Sequence, residues 1–555
     1  MVAGIVAYHN ALSGPFVLDD IFAIPNNASI RTLWPPVAVL SPPPHSPVAD
    51  RPLVNLSLAV NYAMSGLHVT SYHVFNVFVH VLSALLLFAV VFRTLRSPDL
   101  GFVYREAAPG IATASALLWV VHPLATESVD YTIQRTELLM AFFFLLTLHF
   151  AAVGFESPGR SRTAGALAAF ALGLASKEVI VVAPFVVLAY DWLFWSPSWK
   201  EALRRHRQLY LGFAGVLLFF VAVLGTRLRK AFTGINIHLS PWDYALTQSG
   251  VIVHYLRLAL WPYPLTADYE DWPIAHSLAD VLPSLIVVLT LLGMTAWGLA
   301  RRRKVAFLGV WFFCILAPTS SFRPLAAEVA AERRMYLPLA SLVVAAVLAG
   351  DVLFRRIGAP KSVRVATAAV LGAILALVTV NRNESYATTL SFWTDIVAKR
   401  PGNARARIWL GKHLHEEGKT AEAVRHLSEA VRLRPGNAEA QYGLGVVLAS
   451  EGRTSEAIEH YREALRLDPK SVSAHNNLAV ELDHRGEVVE ALAHYREALR
   501  LNPRHVGARY NLALVLVRQG ARAEAIGELE TAVRLKPDFQ QGRRLLEELR
   551  REPSR

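Results

Sequence analysis

Pro401, Pro435, Pro469, Pro503 and Pro537 recur every 34 residues. Gly418, Gly452, Gly486 and Gly520 keep the same period, as do Ala430, Ala464, Ala498 and Ala532. A strict period of this length leaves few folds open. A unit this short cannot bury an apolar face by itself, so neighbouring units must stack into a quasi-one-dimensional array. Each glycine opens a Gly-X-X-X-Glu-Ala stretch, which reads as a turn between two helices, and each proline stops the second helix of its unit.

That combination is the tetratricopeptide signature. Four full repeats are expected at 402–435, 436–469, 470–503 and 504–537. A half-unit over 385–401 precedes them and a capping helix over 538–550 follows. Such an array offers a concave groove for a peptide or protein, and the fold by itself does not name the partner.

The other two thirds of the chain differ in composition. Hydrophobic residues make up 53% of the 555 residues, and the long apolar runs lie between 73 and 381. Runs near 73–92, 111–125, 137–154, 163–176, 178–195, 209–226, 281–300, 305–320, 335–354 and 364–381 read as membrane spans. With an N-terminal helix they predict about eleven. Residues 1–12 lack a basic start and a long apolar core, so no cleavable signal peptide is expected. The eight apolar-rich residues before His9 and Asn10 match the outer half of a first membrane helix whose remainder is missing. The fold class is thus all-α: a polytopic membrane helix bundle over 1–384, then the repeats over 385–555.

The formal net charge of +12 is carried by basic loops, with no basic tract interleaved with aromatics, so nucleic acid is not expected as a partner. The loops holding Arg93 and Arg96, Arg160 and Arg162, Lys200 to Arg207, Arg301 to Lys304, and Arg355 to Arg364 are cytoplasmic by the positive-inside rule. They alternate consistently only if 227–280 does not cross, with Tyr244–Leu260 as an interfacial or re-entrant helix. This puts the first outer loop (21–72), the 122–136 loop, the 321–334 loop and the repeats on the outer face. In the first loop, Trp34-Pro35-Pro36 and Pro42-Pro43-Pro44 argue against regular structure, and Arg51-Pro52-Leu53 opens an interfacial helix. The single cysteine, Cys314, excludes an intrachain disulfide.

Several polar groups sit where lipid would be. Asp19 and Asp20 end the short apolar run Gly14–Leu18 and mark the point where a helix meets water. His73, Asn76 and His80 share one helix face, as an interhelical hydrogen-bond network or as part of a site. His122-Pro123 ends a span, followed by Glu127, Asp130, Arg135 and Glu137. Lys177 and Glu178 sit between two apolar runs, as a structural ion pair or as part of an outer-face site. Arg333 and Arg334, followed by Tyr336, run against the orientation bias at the outer interface, and a lipid phosphate would explain them. A carboxylate that takes a proton from a hydroxyl, beside cations that stabilise a departing phosphate, suits group transfer from a lipid phosphate. No Walker-type loop, His-Glu-X-X-His or Gly-X-Ser-X-Gly motif suggests other chemistry.

The ordered stretches Gly14–Asp20, Arg51-Pro52-Leu53 through Tyr62, Tyr72-His73 through His80, His122-Pro123 through Glu127, Ser176-Lys177-Glu178, Tyr255-Leu256-Arg257 through Pro262, and Glu332–Pro338 cover most of the membrane half. Together with the repeats, they resemble a bacterial member of the transmembrane-and-tetratricopeptide-repeat O-mannosyltransferase family. The resemblance implies a GT-C glycosyltransferase fold; Ala/Arg-rich usage suggests a bacterium, and with the loop orientation it predicts an integral protein of the inner membrane with its repeats on the periplasmic side. The resemblance also implies transfer of a sugar, mannose in the family, from a polyprenyl-phosphate donor to Ser or Thr of exported proteins. Asp19 or Asp20 would then be the base, and His122, Glu127, Lys177, Glu178, Arg333 and Arg334 would meet the lipid phosphate or sugar. Arg51, His73, Asn76, His80 and Tyr336 would support them. A divalent cation at Asp19/Asp20 stays open as a cofactor. The expected partners are the lipid-linked donor, membrane lipid, and an acceptor or envelope protein held by the repeats. The alternative is a non-catalytic membrane-anchored scaffold for an envelope or polysaccharide assembly complex.

Overall fold

The computed structural model describes residues 1–44, 46–233, 239–321 and 328–551, with side chains omitted over 224–233. Parts of two expected outer segments, 234–238 of the 227–280 stretch and 322–327 of the last outer loop, lie outside the described residues. Every regular element among the described residues is helical. The chain divides into two compact units, Met1–Asp395 and Ile396–Arg555.

In the first unit, Val69–Leu95 is the central helix. Its 27 residues reach about 40 Å and pack against Ala108–Val120 and Arg135–Glu156. Around it, several apolar runs are short or broken. His122 is extended (φ −76°, ψ 125°) because a residue before proline is pushed out of the helical region. The helices on either side, Ala108–Val120 and Pro123–Asp130, meet at 52°. Lys177 is likewise extended (φ −162°, ψ 141°) and separates Arg160–Leu174 from Glu178–Val182.

These breaks correct the expected span count. Among the described residues, four helices, Val69–Leu95, Thr132–Glu156, Leu278–Ala300 and Lys361–Tyr386, are long and apolar enough to cross a membrane, or up to six spans if each of two bent pairs counts as one. The expected 305–320 run yields only the 11-residue Ala306–Leu316, about 16 Å long against a hydrocarbon core of about 30 Å. The first outer loop is also more regular than its prolines suggested. Ala28–Ile30 and Pro36–Leu40 form short turns, the latter with proline at a position that tolerates it, and Pro52–Ser65 is a full helix.

The second unit is four antiparallel helix pairs, from Ala404–Glu416 with Thr420–Leu433 to Val506–Arg518 with Arg522–Leu535, closed by Gln540–Arg551. The period is physical. Gly418, Gly452, Gly486 and Gly520 adopt φ between 74° and 81°, the left-handed exit from a helix. Ala430, Ala464, Ala498 and Ala532 are fully buried where the helices of a pair meet.

Candidate functional site

The two acidic residues at the start of Asp19–Ala23 have opposite environments. Leu18 turns the chain through φ 48°, so Asp20 points inward and is completely buried while Asp19 is exposed. The Asp20 carboxylate accepts the Val17 N–H at 3.2 Å and the Ile133 N–H at 2.6 Å. It thereby ties the loop before Asp19 to the loop that starts the Arg135 helix. Burial pushes the Asp20 carboxyl up to about 8. The two N–H donors and Arg135 pull it down, and the neighbouring Asp19 charge pushes it up further. The Asp19 N–H donates to the Tyr131 hydroxyl at 2.9 Å. Burial, then the charges of Asp19 and Asp20, raise the Tyr131 phenol well above its ordinary value.

Arg333 stands on the far side of Tyr131 and counters those charges. Its guanidinium pairs with Glu127 and Glu328, and its N–H donates to Glu127 at 2.7 Å. Arg334 is spent differently. It donates to the carbonyls of Glu328 (2.6 Å), Val329 (3.0 Å) and Thr319 (3.3 Å), and so holds the outer loop together. Glu332 accepts the Thr266 N–H (2.6 Å) and the Tyr269 hydroxyl (2.7 Å), and burial pushes its carboxyl up to about 7.

A common rule connects these contacts. At several helix breaks on this face, orphaned N–H groups are met by a buried carboxylate: Val17 and Ile133 by Asp20, Arg333 by Glu127, Thr266 by Glu332. Irregular backbone at membrane depth survives only when its polar groups find such partners.

The remaining residues singled out in the sequence hold the loops. His73 Nε2 donates to the Gly14 carbonyl at 3.0 Å, and Asn76 donates to the Val129 and Thr132 carbonyls at 3.1 and 3.2 Å. His80 Nε2 faces the Val120 carbonyl at 2.9 Å and carries the proton, so its Nδ1 accepts from the Tyr336 hydroxyl at 2.6 Å. Both His122 nitrogens are engaged, Nδ1 by the Leu124 N–H and Nε2 by the Ala259 carbonyl. Lys177 pairs with Glu137 in a buried contact, and Glu178 lies 3.8 Å from Arg51 at a more exposed point.

Three participants had been assigned no role. Tyr131 accepts the Asp19 N–H and feels the charge of Arg333. Arg135, fully buried, donates to Asn61 Oδ1 at 2.8 Å and to the Tyr72 carbonyl at 3.2 Å. Glu332 had been read only as a neighbour of the arginines. A buried charge inside an apolar stretch was the available signal for Arg135; none marked Tyr131.

A divalent cation at Asp19/Asp20 fits poorly. Hard cations take several oxygen ligands. Both Asp20 oxygens already face N–H donors, which leaves only the Asp19 carboxylate presented to the surface. No group of three or more His, Cys, Asp or Glu among the described residues is placed to hold a metal.

The comparisons with known proteins agree with the repeats and extend into the membrane half. Tetratricopeptide-repeat models match residues 392–438, 412–472 and 484–549. The mouse protein O-mannosyl-transferase TMTC4 is 28% identical over 488 residues, covering 77% of this chain and 65% of its own. The human protein of that name is 26% identical, covering 76% and 64%, and the Caenorhabditis elegans protein O-mannosyl-transferase F38B6.6 is 24% identical, covering 77% and 61%. The chain is a homologue of these protein O-mannosyl-transferases. It spans just under two thirds of the length of these curated relatives. The crystal structure of MamA matches at 23% identity over 27% of this chain and 89% of its own, with a TM-score of 0.26, and adds nothing to the repeat fold seen in the helices themselves.

Proposed function

We propose that this chain is an integral membrane glycosyltransferase. It moves a sugar, mannose by resemblance, from a polyprenyl-phosphate donor to Ser or Thr hydroxyls of exported proteins on the outer face. The observation that carries the reading is the pairing of an exposed Asp19 with a buried Asp20 that fixes the loop bearing it, next to Tyr131 and Arg333. Asp19 is the base. It takes the hydroxyl proton as the acceptor oxygen attacks the anomeric carbon, and the carbon–oxygen bond to phosphate breaks with its electrons left on the phosphate.

Arg333 stabilises that departing charge, because a phosphate can take the place of Glu328 on its guanidinium while Glu127 keeps holding the other edge. Arg334 and His122 hold backbone through the Val329 and Ala259 carbonyls, while Lys177 is paired with Glu137 and Glu178 with Arg51. No step needs a metal. The repeats present the acceptor protein, and the protein sits in a bacterial inner membrane with the repeats outside.

The test is sugar transfer in membranes from radiolabelled polyprenyl-phosphate sugars. Asp19→Asn is expected to lower transfer by roughly 100- to 10,000-fold with normal insertion and thermal stability. Wild-type transfer by Asp19→Asn would sink the reading and leave the scaffold.

A further inference from the structure

A cavity lies away from this site, in the half of the membrane unit that carries the basic loops. It is a half-open groove of about 560 Å³, a volume typical of ligand sites. Its walls are apolar: Leu87 and Val91 from Val69–Leu95, Trp311 from Ala306–Leu316, and Val344, Leu348 and Val352 from Leu339–Arg356. It follows Leu339–Arg356 from Ala340 to Arg356, about 24 Å, which is most of the thickness of a hydrocarbon core.

Only one end is charged. Lys304 and Arg356 line it. Lys304 is paired with Asp99 and bonds the Leu193 carbonyl, and Arg355 is paired with Asp351 at 2.8 Å and stacked on Tyr104. Arg356 is exposed and has no carboxylate partner among the described residues. Arg96 adds a further cation one residue beyond Leu95, which lines the groove. A long apolar trough with surplus positive charge at one mouth is complementary to a lipid with an anionic headgroup.

We propose that the groove seats one anionic phospholipid, with an acyl chain along Leu339–Arg356 and its phosphate at Arg356 and Lys304. This lipid is distinct from the sugar donor. The helix starts three residues after Tyr336, beside the Arg333 segment, and ends at Arg356, so headgroup and transfer site lie at opposite ends of it. The inference depends on the chain lying in a membrane and not on its transferase activity.

The test is native mass spectrometry of the detergent-solubilised full chain, titrated with phosphatidylglycerol or phosphatidylcholine. One phosphatidylglycerol should bind at least about fivefold more tightly than phosphatidylcholine. Arg356→Glu, at an exposed helix end, should abolish that preference and leave phosphatidylcholine binding unchanged. Ala345→Trp, which fills the trough, should weaken both. Equal affinity for the two lipids in the wild type, or a preference that survives Arg356→Glu, would overturn the proposal. So would one-for-one displacement of phosphatidylglycerol by polyprenyl phosphate, which would make the groove a channel for the donor tail.

Discussion

Asp19 and Asp20 are adjacent and chemically identical, and the fold separates their roles by burial alone. The consequence for Asp20 can be read from pH. Its folded value of about 8 lies above its ordinary 3.8, so the native state holds the proton more tightly than the unfolded chain. The stability it contributes is therefore fully present below about pH 4 and is lost as pH rises through 8. Thermal unfolding in detergent should show a midpoint that falls as pH rises from about 4 to 8 and levels off above 8, and the slope should flatten in Asp20→Asn. Glu328 tests the other half of the site. If donor phosphate replaces it on Arg333, Glu328→Gln should lower the donor KM by roughly fivefold, about 1 kcal/mol. An unchanged or higher KM would place the phosphate elsewhere.

Helix breaks carry the chemistry in one unit, and helix exits carry the architecture in the other. Pro123 made one break legible in the sequence. The breaks at Lys177 and Tyr131 have no proline; they fall at the gap between the 163–176 and 178–195 runs and in the 122–136 loop, so their places were legible and their partners were not. They exist because tertiary partners, among them Glu137 for Lys177 and Asp20 for the Ile133 N–H, make the loss of helix bonds affordable. The repeats are the opposite case. Their turn depends on local backbone geometry, which a period displays openly. Gly486 sits at φ 81°, with no atom within 4 Å of where a Cβ would stand. Gly486→Ala should thus cost about 1–2 kcal/mol from backbone conformation alone. The check is the unfolding midpoint of the repeat transition; no shift would mean that the turn relaxes.

For the whole molecule, the repeats and the presence of a membrane unit were legible because each rests on composition repeated many times. The span count was not, since apolarity over 11 to 18 residues marks a broken or partly buried helix as readily as a crossing one. Orientation does not depend on that count. Asn383, at the end of Lys361–Asn383, donates to the Ala7 carbonyl and to Asn10, and Gly14 lies against the Tyr386 carbonyl. The last apolar helix therefore ends on the face that carries Asp19, while Arg301 to Lys304 and Arg355 belong to the opposite, basic end. Because Cys314 is the chain's one cysteine, replacing it by alanine gives a background for single-site labelling. In intact cells, a membrane-impermeant maleimide should label cysteines placed at the exposed Met64 and Val489, and should label Phe102→Cys only after permeabilisation. Labelling of Phe102→Cys from outside would invert the positive-inside assignment and put Asp19 in the cytoplasm. Protection of Val489→Cys alone would separate the repeats from the transfer site and remove their part in presenting an acceptor.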